Sequence, residues 1–396
     1  MKAIVYGAGT TEIQSELLPG LRELQVATVP DPTPPADDWI VVRSLIAGIC
    51  GSDLGTLQDK SLPFFEPFSS VPLVLGHELL GVVESVGPAV RDLRVGQRVA
   101  VDPTLACVER GFADPCSQCR SGRPNLCERF TQGVLTPGLL IGGCADTGGG
   151  WGEYYIARAE RAHVVPDGIE DGEASLIEPF SVALRPSLEH PPEPGQVAMV
   201  IGAGMIGLMS IAALKAVEPD CRVISIARHS FQQQCARALG ADVVLDPGDS
   251  DIVAQIGELT ESQVHRLSDG DSLLAGGVHL VHDTVTNRAS MDLALRVTRG
   301  KGKVVLIGLP SGLQDLDWGI VVFKELQLVG SLMYGNEGFE SGELATFKRA
   351  IDFLRSRRID LRAIQPRTYR IDNYVEALNE AAVKTGRDAI KVSFAF

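Results

Sequence analysis

The side chains best suited to chemistry in this 396-residue chain are a cysteine, a histidine and two glutamates. Cys50 lies in Gly-Ile-Cys-Gly-Ser-Asp, His77 and Glu78 lie in Gly-His-Glu, and Glu178 lies in Ile-Glu-Pro-Phe. Taken singly, such residues are more often structural. A catalytic zinc, however, needs about three ligands of mixed sulfur, nitrogen and oxygen type and one open position. Cys50 and His77 with either glutamate meet that requirement, so the sequence predicts a catalytic zinc site.

A second group of potential metal ligands consists of four cysteines within a short stretch. They are Cys107, Cys116, Cys119 and Cys127. Four thiolates form a closed tetrahedral zinc site without an open position, which is typical of a structural role. Disulfides are the alternative, but the spacing favours metal. Cys116-x-x-Cys119 is the firm part of the pattern, and whether Cys107 completes the site stays open.

A glycine-rich segment follows a run that is typical of a buried strand, Val-Ala-Met-Val-Ile. Gly202 permits a tight turn, Gly204 lets the backbone approach a pyrophosphate, and Gly207 allows close helix packing. Met205 and Ile206 lie at the start of the following helix, whose free N–H groups attract phosphate. A glycine-rich turn of any α/β protein is the alternative, but the flanking strand and helix favour a dinucleotide-binding loop.

The end of the next predicted strand determines which dinucleotide is favoured. In folds that bind NAD, an acid at this place accepts hydrogen bonds from the adenosine ribose. Here Arg-Val-Ile-Ser-Ile runs into Ala227, Arg228 and His229, with a cation and without a carboxylate. Because an arginine can form a charge-assisted pair with a 2′-phosphate, we predict a preference for NADP(H) over NAD(H).

Two kinds of sequence pattern must position these residues. About 180 residues at the start contain short β-branched runs between Gly and Pro, which is typical of an irregular, barrel-like β domain. From Val197 onward, strands alternate with helices, which predicts a parallel sheet covered on both faces. A proline-rich linker, residues 189–195, separates the two regions. We therefore predict an α/β chain with a β-rich catalytic domain at 1–188, a doubly wound dinucleotide-binding domain at 189–330, and a segment at 331–396 that rejoins the first domain.

The composition limits the partners of the chain. It has 36 basic and 50 acidic residues and a formal net charge of -14 at pH 7, which opposes non-specific attraction to nucleic acid and to anionic membranes. No run approaches the roughly 18 apolar residues that span a bilayer, and no secretory signal is visible. We expect a small-molecule substrate, no nucleic-acid or membrane partner, a cytoplasmic location and a homo-oligomer, either a dimer or a tetramer.

In order and spacing, these motifs resemble the zinc-containing branch of the medium-chain dehydrogenase/reductase superfamily along nearly the whole chain. The motifs that carry the resemblance are Gly-Ile-Cys-Gly-Ser-Asp, Gly-His-Glu-Leu-Leu-Gly-Val-Val-Glu-Ser-Val-Gly, the clustered cysteines, Glu-Pro-Phe-Ser-Val-Ala-Leu and Val-Ile-Gly-Ala-Gly-Met-Ile-Gly-Leu. The resemblance implies a GroES-like catalytic domain and a Rossmann domain. Glu178-Pro179 resembles the polyol, sugar and threonine dehydrogenases within that branch.

The resemblance also implies roles for individual residues. Cys50 and His77 would bind the catalytic zinc, Asp53 would orient His77, and Ser52 would take the substrate proton. In relatives of this branch either glutamate of the set can be the direct ligand, so both stay open as the third ligand.

The chain departs from the family pattern at three places. Ala113 stands where the first cysteine of the four is expected, so Cys107 would have to reach the metal across an inserted segment. Gly55 stands where relatives often place the histidine that ends the proton relay. Ala227 replaces the acid that selects NAD.

The sequence therefore predicts a zinc-dependent, NAD(P)-linked oxidoreductase that interconverts an alcohol and its carbonyl. The alcohol would be a polyol, a sugar or a secondary alcohol. One alternative is a zinc-free quinone or enoyl reductase of the same superfamily that uses NADPH, although such relatives lack the zinc ligands. Another is a non-catalytic protein that binds NADPH. We expect a catalytic zinc ion and a second, structural one.

Overall fold

The computed structural model describes residues 1–58, 63–248, 251–268, 270–309, 313–335, 346–383 and 389–396. By contacts between residues, the chain divides into two units. The first contains Met1–Glu178, Gly335–Arg355 and Ile364–Phe396, and the second contains Pro179–Tyr334 and Ser356–Ala363. The domain borders at residues 188 and 330 remain predictions. Within the described ranges, no helix is both long and apolar enough to cross a bilayer.

The strands, in chain order, are β1 (Lys2–Tyr6), β2 (Leu24–Thr28), β3 (Trp39–Gly48), β4 (Leu73–Val74), β5 (Glu78–Val86), β6 (Arg98–Val101), β7 (Tyr154–Arg158), β8 (Ala162–Val164), β9 (Val197–Ile201), β10 (Arg222–Ile226), β11 (Val243–Leu245), β12 (Gln263–Arg266), β13 (Ser272–Ala275), β14 (Val278–Asp283), β15 (Thr298–Leu306), β16 (Gln327–Gly330), β17 (Arg367–Tyr369) and β18 (Val392–Ala395).

The α-helices are α1 (Gly51–Leu57), α2 (Ser117–Arg120), α3 (Asp171–Ala174), α4 (Ile177–Glu189), α5 (Met205–Val217), α6 (Ser230–Ala238), α7 (Ile252–Leu259), α8 (Arg288–Val297), α9 (Gly319–Phe323), α10 (Thr346–Arg355) and α11 (Tyr374–Ala382). Short 3-10 turns cover Pro19–Glu23, Pro63–Phe68, Pro124–Leu126, Ala159–Arg161 and Ile371–Asn373.

The first unit is built mainly from antiparallel sheet. Its larger sheet has the strand order β17-β18-β3-β5-β6-β8, with β7 also paired to β3, and a smaller sheet has the order β2-β1-β4. The end of β3 lies between β5 and β18, because Gly48 pairs with Glu78 on one side and with Ser393 on the other. This register brings the turn after β3, the start of β5 and the C-terminal strand to one place. Trp151 and Phe394 pack edge to face in the core beside it.

The second unit is a six-stranded parallel sheet with the order β11-β10-β9-β14-β15-β16. One face forms an apolar core in which Met199, Ile224, Val281 and Val304 are fully buried and pack with α7 and α8. The predominantly apolar composition of these strands is what a sheet buried on both faces requires. The structure confirms the predicted fold class, an α/β chain in which a β-rich part is combined with a parallel sheet.

The other face of this sheet carries buried polar groups. Val200 in β9 pairs with Ser225 in β10 and with His282 in β14. Neither the Ser225 hydroxyl nor either ring nitrogen of His282 has a hydrogen-bond partner among the described residues. Burial, together with repulsion from His190, lowers the pKa of His282 to about 3. His282 is therefore neutral in the folded chain over the physiological range of pH.

We expect this histidine to make the protein less stable in mild acid. An unfolded histidine takes up a proton near pH 6.5, whereas folded His282 stays neutral until about pH 3. The unfolded state therefore binds more protons as the pH falls, and the free energy of unfolding drops by about 2 kcal/mol at pH 5 through this residue. His282→Phe should remove that part of the pH dependence, and His265→Phe, at an exposed position, should retain it. Denaturant titrations at neutral and mildly acidic pH compare the variants, and an unchanged pH dependence in His282→Phe contradicts the prediction.

Candidate active site and metal centre

The turn after β3 places Cys50 at the N-terminus of α1. Asp53, in the first turn of this helix, is 3% exposed, and its Oδ2 accepts a hydrogen bond from the Cys50 backbone N–H at 2.8 Å. Its other oxygen, Oδ1, lies 3.5 Å from Nδ1 of His77. One buried carboxylate thus links two of the predicted zinc ligands, although they lie 27 positions apart in the sequence.

His77 is held in a charged environment. Burial acts to lower its pKa, but Asp53 and the Cys50 thiol act in the opposite direction and leave the pKa well above its usual value. A carboxylate that faces one ring nitrogen of a histidine fixes the orientation of the ring, as in many zinc sites.

Glu78 is the first residue of β5, and its buried side chain pairs with Lys391. The Lys391 ammonium also donates to the backbone carbonyl of Ile49 at 2.9 Å. Burial acts to lower the pKa of Lys391, but Glu78, Cys50 and Glu178 raise it overall. Lys391 therefore lies within electrostatic reach of three of the four predicted zinc ligands.

The second oxygen of Glu78 is a buried acceptor. Oε2 has no hydrogen-bond partner among the described residues. An ideal Cβ added at Gly48 would come within 2.0 Å of it, so glycine is the residue that leaves room for this carboxylate. A buried carboxylate oxygen without a partner fits a group that is completed by a metal ion or by water.

Asp53 and Lys391 contact the predicted catalytic ligands, but the donor atoms of these ligands do not form a tight group. The four cysteines do form a tight group, because their possible ligand atoms all lie within 4.8 Å of one another. Among the described residues, the catalytic set does not meet that criterion. In the catalytic set, the Asp53 and Lys391 contacts hold His77 and Glu78. Ser52 lies beside Cys50 in α1, where it is exposed.

The four cysteines form the candidate metal centre. Their sulfur atoms all lie within 4.8 Å of one another, and the Sγ atoms of Cys107 and Cys127 are 3.5 Å apart. A tetrahedral zinc with bonds of about 2.3 Å places its sulfurs about 3.8 Å apart. Backbone N–H groups of Cys116, Glu128 and Arg129 lie 3.3 to 3.4 Å from cluster sulfurs. The residues therefore fit a four-thiolate metal site, and Cys107 reaches it despite the family cysteine missing at Ala113.

The glycine-rich loop has the geometry that a close backbone turn requires. Gly202 has a φ of +93°, and a Cβ at Gly207 would lie 1.8 Å from the Gly202 carbonyl oxygen. Gly204 precedes the first residue of α5 and faces open space. Met205 and Ile206 are half-buried in the first turn. The loop therefore leaves the N-terminal N–H groups of α5 accessible.

The residues after β10 differ in their exposure. Ala227 is buried, and its N–H donates to the Leu245 carbonyl at 2.9 Å. Arg228 is exposed, and within the described ranges it forms neither an ion pair nor a hydrogen bond through its side chain. The His229 ring stacks on Phe231 with 5.8 Å between the ring centroids. The side chain of Arg228 is thus an available cation, directly after Ala227, which stands where an acid would select NAD.

Two contacts at these sites were not predicted. Lys391 lies 313 positions after Glu78, and an isolated lysine in a C-terminal strand has no local signal that points to a metal site. Buried Arg110, three residues after Cys107, reads in the sequence as a surface cation. Finding either requires knowledge of the strand pairing or of the loop conformation.

Comparison with known proteins gives two family matches. Residues 36–167 match the model described as an alcohol dehydrogenase GroES-like domain, and residues 206–356 match the model described as a zinc-binding dehydrogenase. The chain is 27% identical to sorbitol dehydrogenase of Bacillus subtilis (strain 168) over 381 residues, which covers 96% of each chain. It is 28% identical to L-idonate 5-dehydrogenase of Vitis vinifera, with 100% of this chain and 94% of the relative covered.

A solved structure gives the same picture at the level of the fold. It is described as a short chain alcohol dehydrogenase (rspB) from E. coli CFT073, complexed with cofactor NADH. The TM-score is 0.77 at 26% identity, and the match covers 100% of this chain and 99% of the other.

Proposed function

The chain belongs to the zinc-containing medium-chain dehydrogenase/reductases, and we propose that its substrate is a polyol, a sugar or a secondary alcohol. As an NAD(P)-linked oxidoreductase, it interconverts an alcohol and its carbonyl. The observation that carries the proposal is the link that Asp53 makes between Cys50 and His77. Neither a zinc-free quinone or enoyl reductase nor a protein that only binds NADPH requires such a set of zinc ligands.

In the proposed site, Cys50 and His77 hold the catalytic zinc. When bound, the metal supplies Lewis acidity, which lowers the pKa of a substrate hydroxyl toward neutrality. Asp53 lies against Nδ1 of His77, so Nε2 is the ring nitrogen that would bind the metal. The exposed hydroxyl of Ser52 accepts the substrate proton and passes it to water, because Gly55 offers no side chain for a longer relay.

We further propose that Glu178 is the third zinc ligand and that Glu78 is not a ligand but holds water at the site through Oε2, which has no partner among the described residues. The charge of Glu78 is already compensated by Lys391, and both side chains are buried. A carboxylate held by an ammonium group has less negative charge to offer a metal. Glu178 adds to the raised pKa of Lys391, as Cys50 does, and this supports a place for Glu178 in the same site.

This assignment predicts different outcomes for the two glutamates. Glu178→Gln should lose the catalytic zinc, whereas Glu78→Gln should retain it with an affinity lowered about 10-fold to 100-fold, the usual effect of changing a residue that supports a ligand. Elemental analysis of both variants after identical dialysis measures the difference. Loss of zinc from Glu78→Gln alone would assign the ligand role to Glu78 instead.

The four-cysteine cluster is proposed as a structural zinc site with Cys107, Cys116, Cys119 and Cys127 as ligands. Support comes from the mutual distances of the sulfurs and from the N–H groups directed at them. Four thiolates leave no position for a substrate. The contribution of this zinc is therefore to the stability of the first unit.

The preference for NADP(H) also belongs to the proposal. Arg228 is exposed and has no partner within the described ranges, so it is available to a 2′-phosphate, and Ala227 removes the acid that would repel that phosphate. His229 can add a donor. A solved structure of the same fold is described as a complex with NADH. The preference for NADP(H) or NAD(H) in this chain would therefore depend on the side chains after β10 and not on the fold.

We expect Arg228→Ala to lower kcat/KM for NADP about 10-fold to 150-fold, the range that corresponds to losing one charge-assisted hydrogen bond. Its kcat/KM for NAD should change little, because NAD lacks the phosphate. Ala227→Asp should shift the preference further toward NAD. A wild-type preference for NAD, or an equal loss with both cofactors in Arg228→Ala, would contradict the assignment.

We also propose that the protein assembles as a homo-oligomer, a dimer or a tetramer. Edge strand β16 ends the parallel sheet, and Val322 and Phe323 in neighbouring α9 are each 78% exposed. Large exposed apolar side chains next to an edge strand favour association with a second sheet edge. Light scattering of the wild type and of Phe323→Asp tests this. A monomeric wild type would overturn it.

The substrate class is tested by turnover. Polyols, sugars, amino-acid alcohols and simple secondary alcohols should each be offered with NADP and with NAD, and the reduced cofactor followed. Polyols or sugars should give the highest kcat/KM. Activity confined to alkene reduction would favour the quinone or enoyl reductase class instead.

A further inference from the structure

Arg110 is one of the most deeply buried charged residues of the chain. It lies three residues after Cys107 and is 1% exposed. Its guanidinium donates hydrogen bonds to five backbone carbonyls, those of Leu105 at 3.0 Å, Gln132 at 3.0 Å, Leu135 at 3.1 Å, Thr136 at 3.2 Å and Gly138. Its backbone is held too, because its carbonyl accepts from Val134 N–H at 3.1 Å.

These contacts join two parts of the loop around the four cysteines. One part is the hydrogen-bonded turn from Ala106 to Phe112. In this turn, Arg110 N–H donates to the Ala106 carbonyl at 3.1 Å, and Phe112 N–H donates to the Cys107 carbonyl at 3.0 Å. The other is the segment from Gln132 to Gly138. Cys107 lies in the first part, so the position of its sulfur depends on how Arg110 fixes this turn.

No carboxylate of the described residues is bound to Arg110. Within the described ranges, no ion pair joins its guanidinium to an acid. The adjacent Glu109 is paired with Arg161 at 2.9 Å, and Asp146 is exposed to solvent. A buried cation bonded only to carbonyls is costly unless negative charge lies close by.

The four-cysteine cluster lies on the same loop as Arg110 and carries negative charge when metal is bound. Four thiolates and one divalent zinc carry an excess of negative charge, and the pocket around them is apolar, lined by Ala106 and Phe130 with Phe68 and Phe112 beside them. Burial lowers the pKa of Arg110, and Cys144 and Cys127 oppose that lowering most strongly. Asp146 and Glu109 oppose it as well, and of these four side chains Cys127 is the one that belongs to the cluster.

We propose that Arg110 is a positioning residue of the four-cysteine site, where its hydrogen bonds fix the turn that brings Cys107 to the other sulfurs. This inference rests on the proposed structural zinc. It explains how a chain with Ala113 in place of the usual cysteine still assembles four sulfurs. The inserted segment carries the arginine that holds the turn of the replacement ligand, Cys107, in place.

The test measures zinc release rather than turnover. The full chain carrying Cys50→Ala, which removes a ligand of the catalytic site, is loaded with zinc, and release into an excess of a chromogenic chelator is followed. Adding Arg110→Gln should speed release about 10-fold to 100-fold. Arg110→Lys keeps the charge but loses the planar fork, and should release zinc at an intermediate rate.

A matched control is Arg158→Gln. Arg158 is a partly buried arginine of the same unit whose partners are the carboxylates of Asp38 and Glu160, and its loss should leave the release rate unchanged. Far-ultraviolet circular dichroism checks that each variant is folded. If Arg110→Gln does not fold, Arg110→Lys decides the matter, and release at the parent rate overturns the inference.

Cys107→Ser separates this inference from the structural zinc itself. It should lose most of the zinc from the four-cysteine site. Unchanged zinc content in Cys107→Ser would mean that the four-thiolate site is wrong. Loss of zinc in Cys107→Ser together with parent-rate release from folded Arg110→Gln would overturn the role of Arg110 alone.

Discussion

Cys50→Ala is expected to reduce kcat/KM for the alcohol roughly 1,000-fold or more while the protein stays folded. Cys50 is the one thiolate of the proposed catalytic set, and its neighbour His77 is oriented by the same aspartate that holds the Cys50 backbone. Lewis-acid stabilisation contributes several kcal/mol to such reactions, and each 1.36 kcal/mol corresponds to about tenfold in rate. Loss of the metal should therefore remove nearly all turnover.

The measurement combines steady-state kinetics, zinc content and circular dichroism of the purified variant. Cys221→Ala is the matched control, since Cys221 is a buried free cysteine in the second unit. It should retain the wild-type zinc content and turnover. Cys50→Ala with wild-type turnover would remove this residue from the catalytic site.

Ser52→Ala should lower kcat about 100-fold to 10,000-fold, which is the usual contribution of a general acid or base. The Ser52 hydroxyl is exposed on the helix that begins next to Cys50, so it can meet a substrate hydroxyl without rearrangement of the core. Cofactor affinity should change little, because the hydroxyl acts on the substrate proton and not on the dinucleotide.

The conservative variant separates chemistry from packing. Ser52→Thr keeps a hydroxyl on the same backbone position and should recover much of the activity that Ser52→Ala loses. Cofactor binding is followed by fluorescence titration in both variants. If Ser52→Ala turns over like the wild type across the pH range, the proton passes through another group.

Much of the candidate site could be predicted because its residues lie in short, locally encoded motifs. Cys50 and Asp53 meet within one helical turn, and the glycine loop needs only the strand before it and the helix after it. The contacts that the sequence did not reveal depend on distant segments. Lys391 reaches Glu78 only because β18 and β5 both pair with β3.

The four-cysteine site shows the same limit in a loop. Spacing alone could not decide whether Cys107 reaches the other sulfurs, since the inserted residues between it and Cys116 have no regular pattern. Its placement depends on the hydrogen bonds of Arg110, and a charged residue in a loop is usually expected at the surface. His282 is a similar case, because a histidine inside an apolar strand gives no sign that both ring nitrogens lack hydrogen-bond partners in the part of the chain that the structure describes.

The central claim is that zinc held by Cys50 and His77 is required for hydride transfer between an alcohol and the nicotinamide cofactor. The most direct measurement is alcohol-dependent formation of reduced cofactor by the protein as purified, after removal of the catalytic zinc, and after zinc is restored. We predict that turnover falls to background when that zinc is removed and returns in proportion to the zinc rebound, while the zinc of the four-cysteine site stays in place. Undiminished turnover in protein that carries no zinc at the catalytic site would contradict the account.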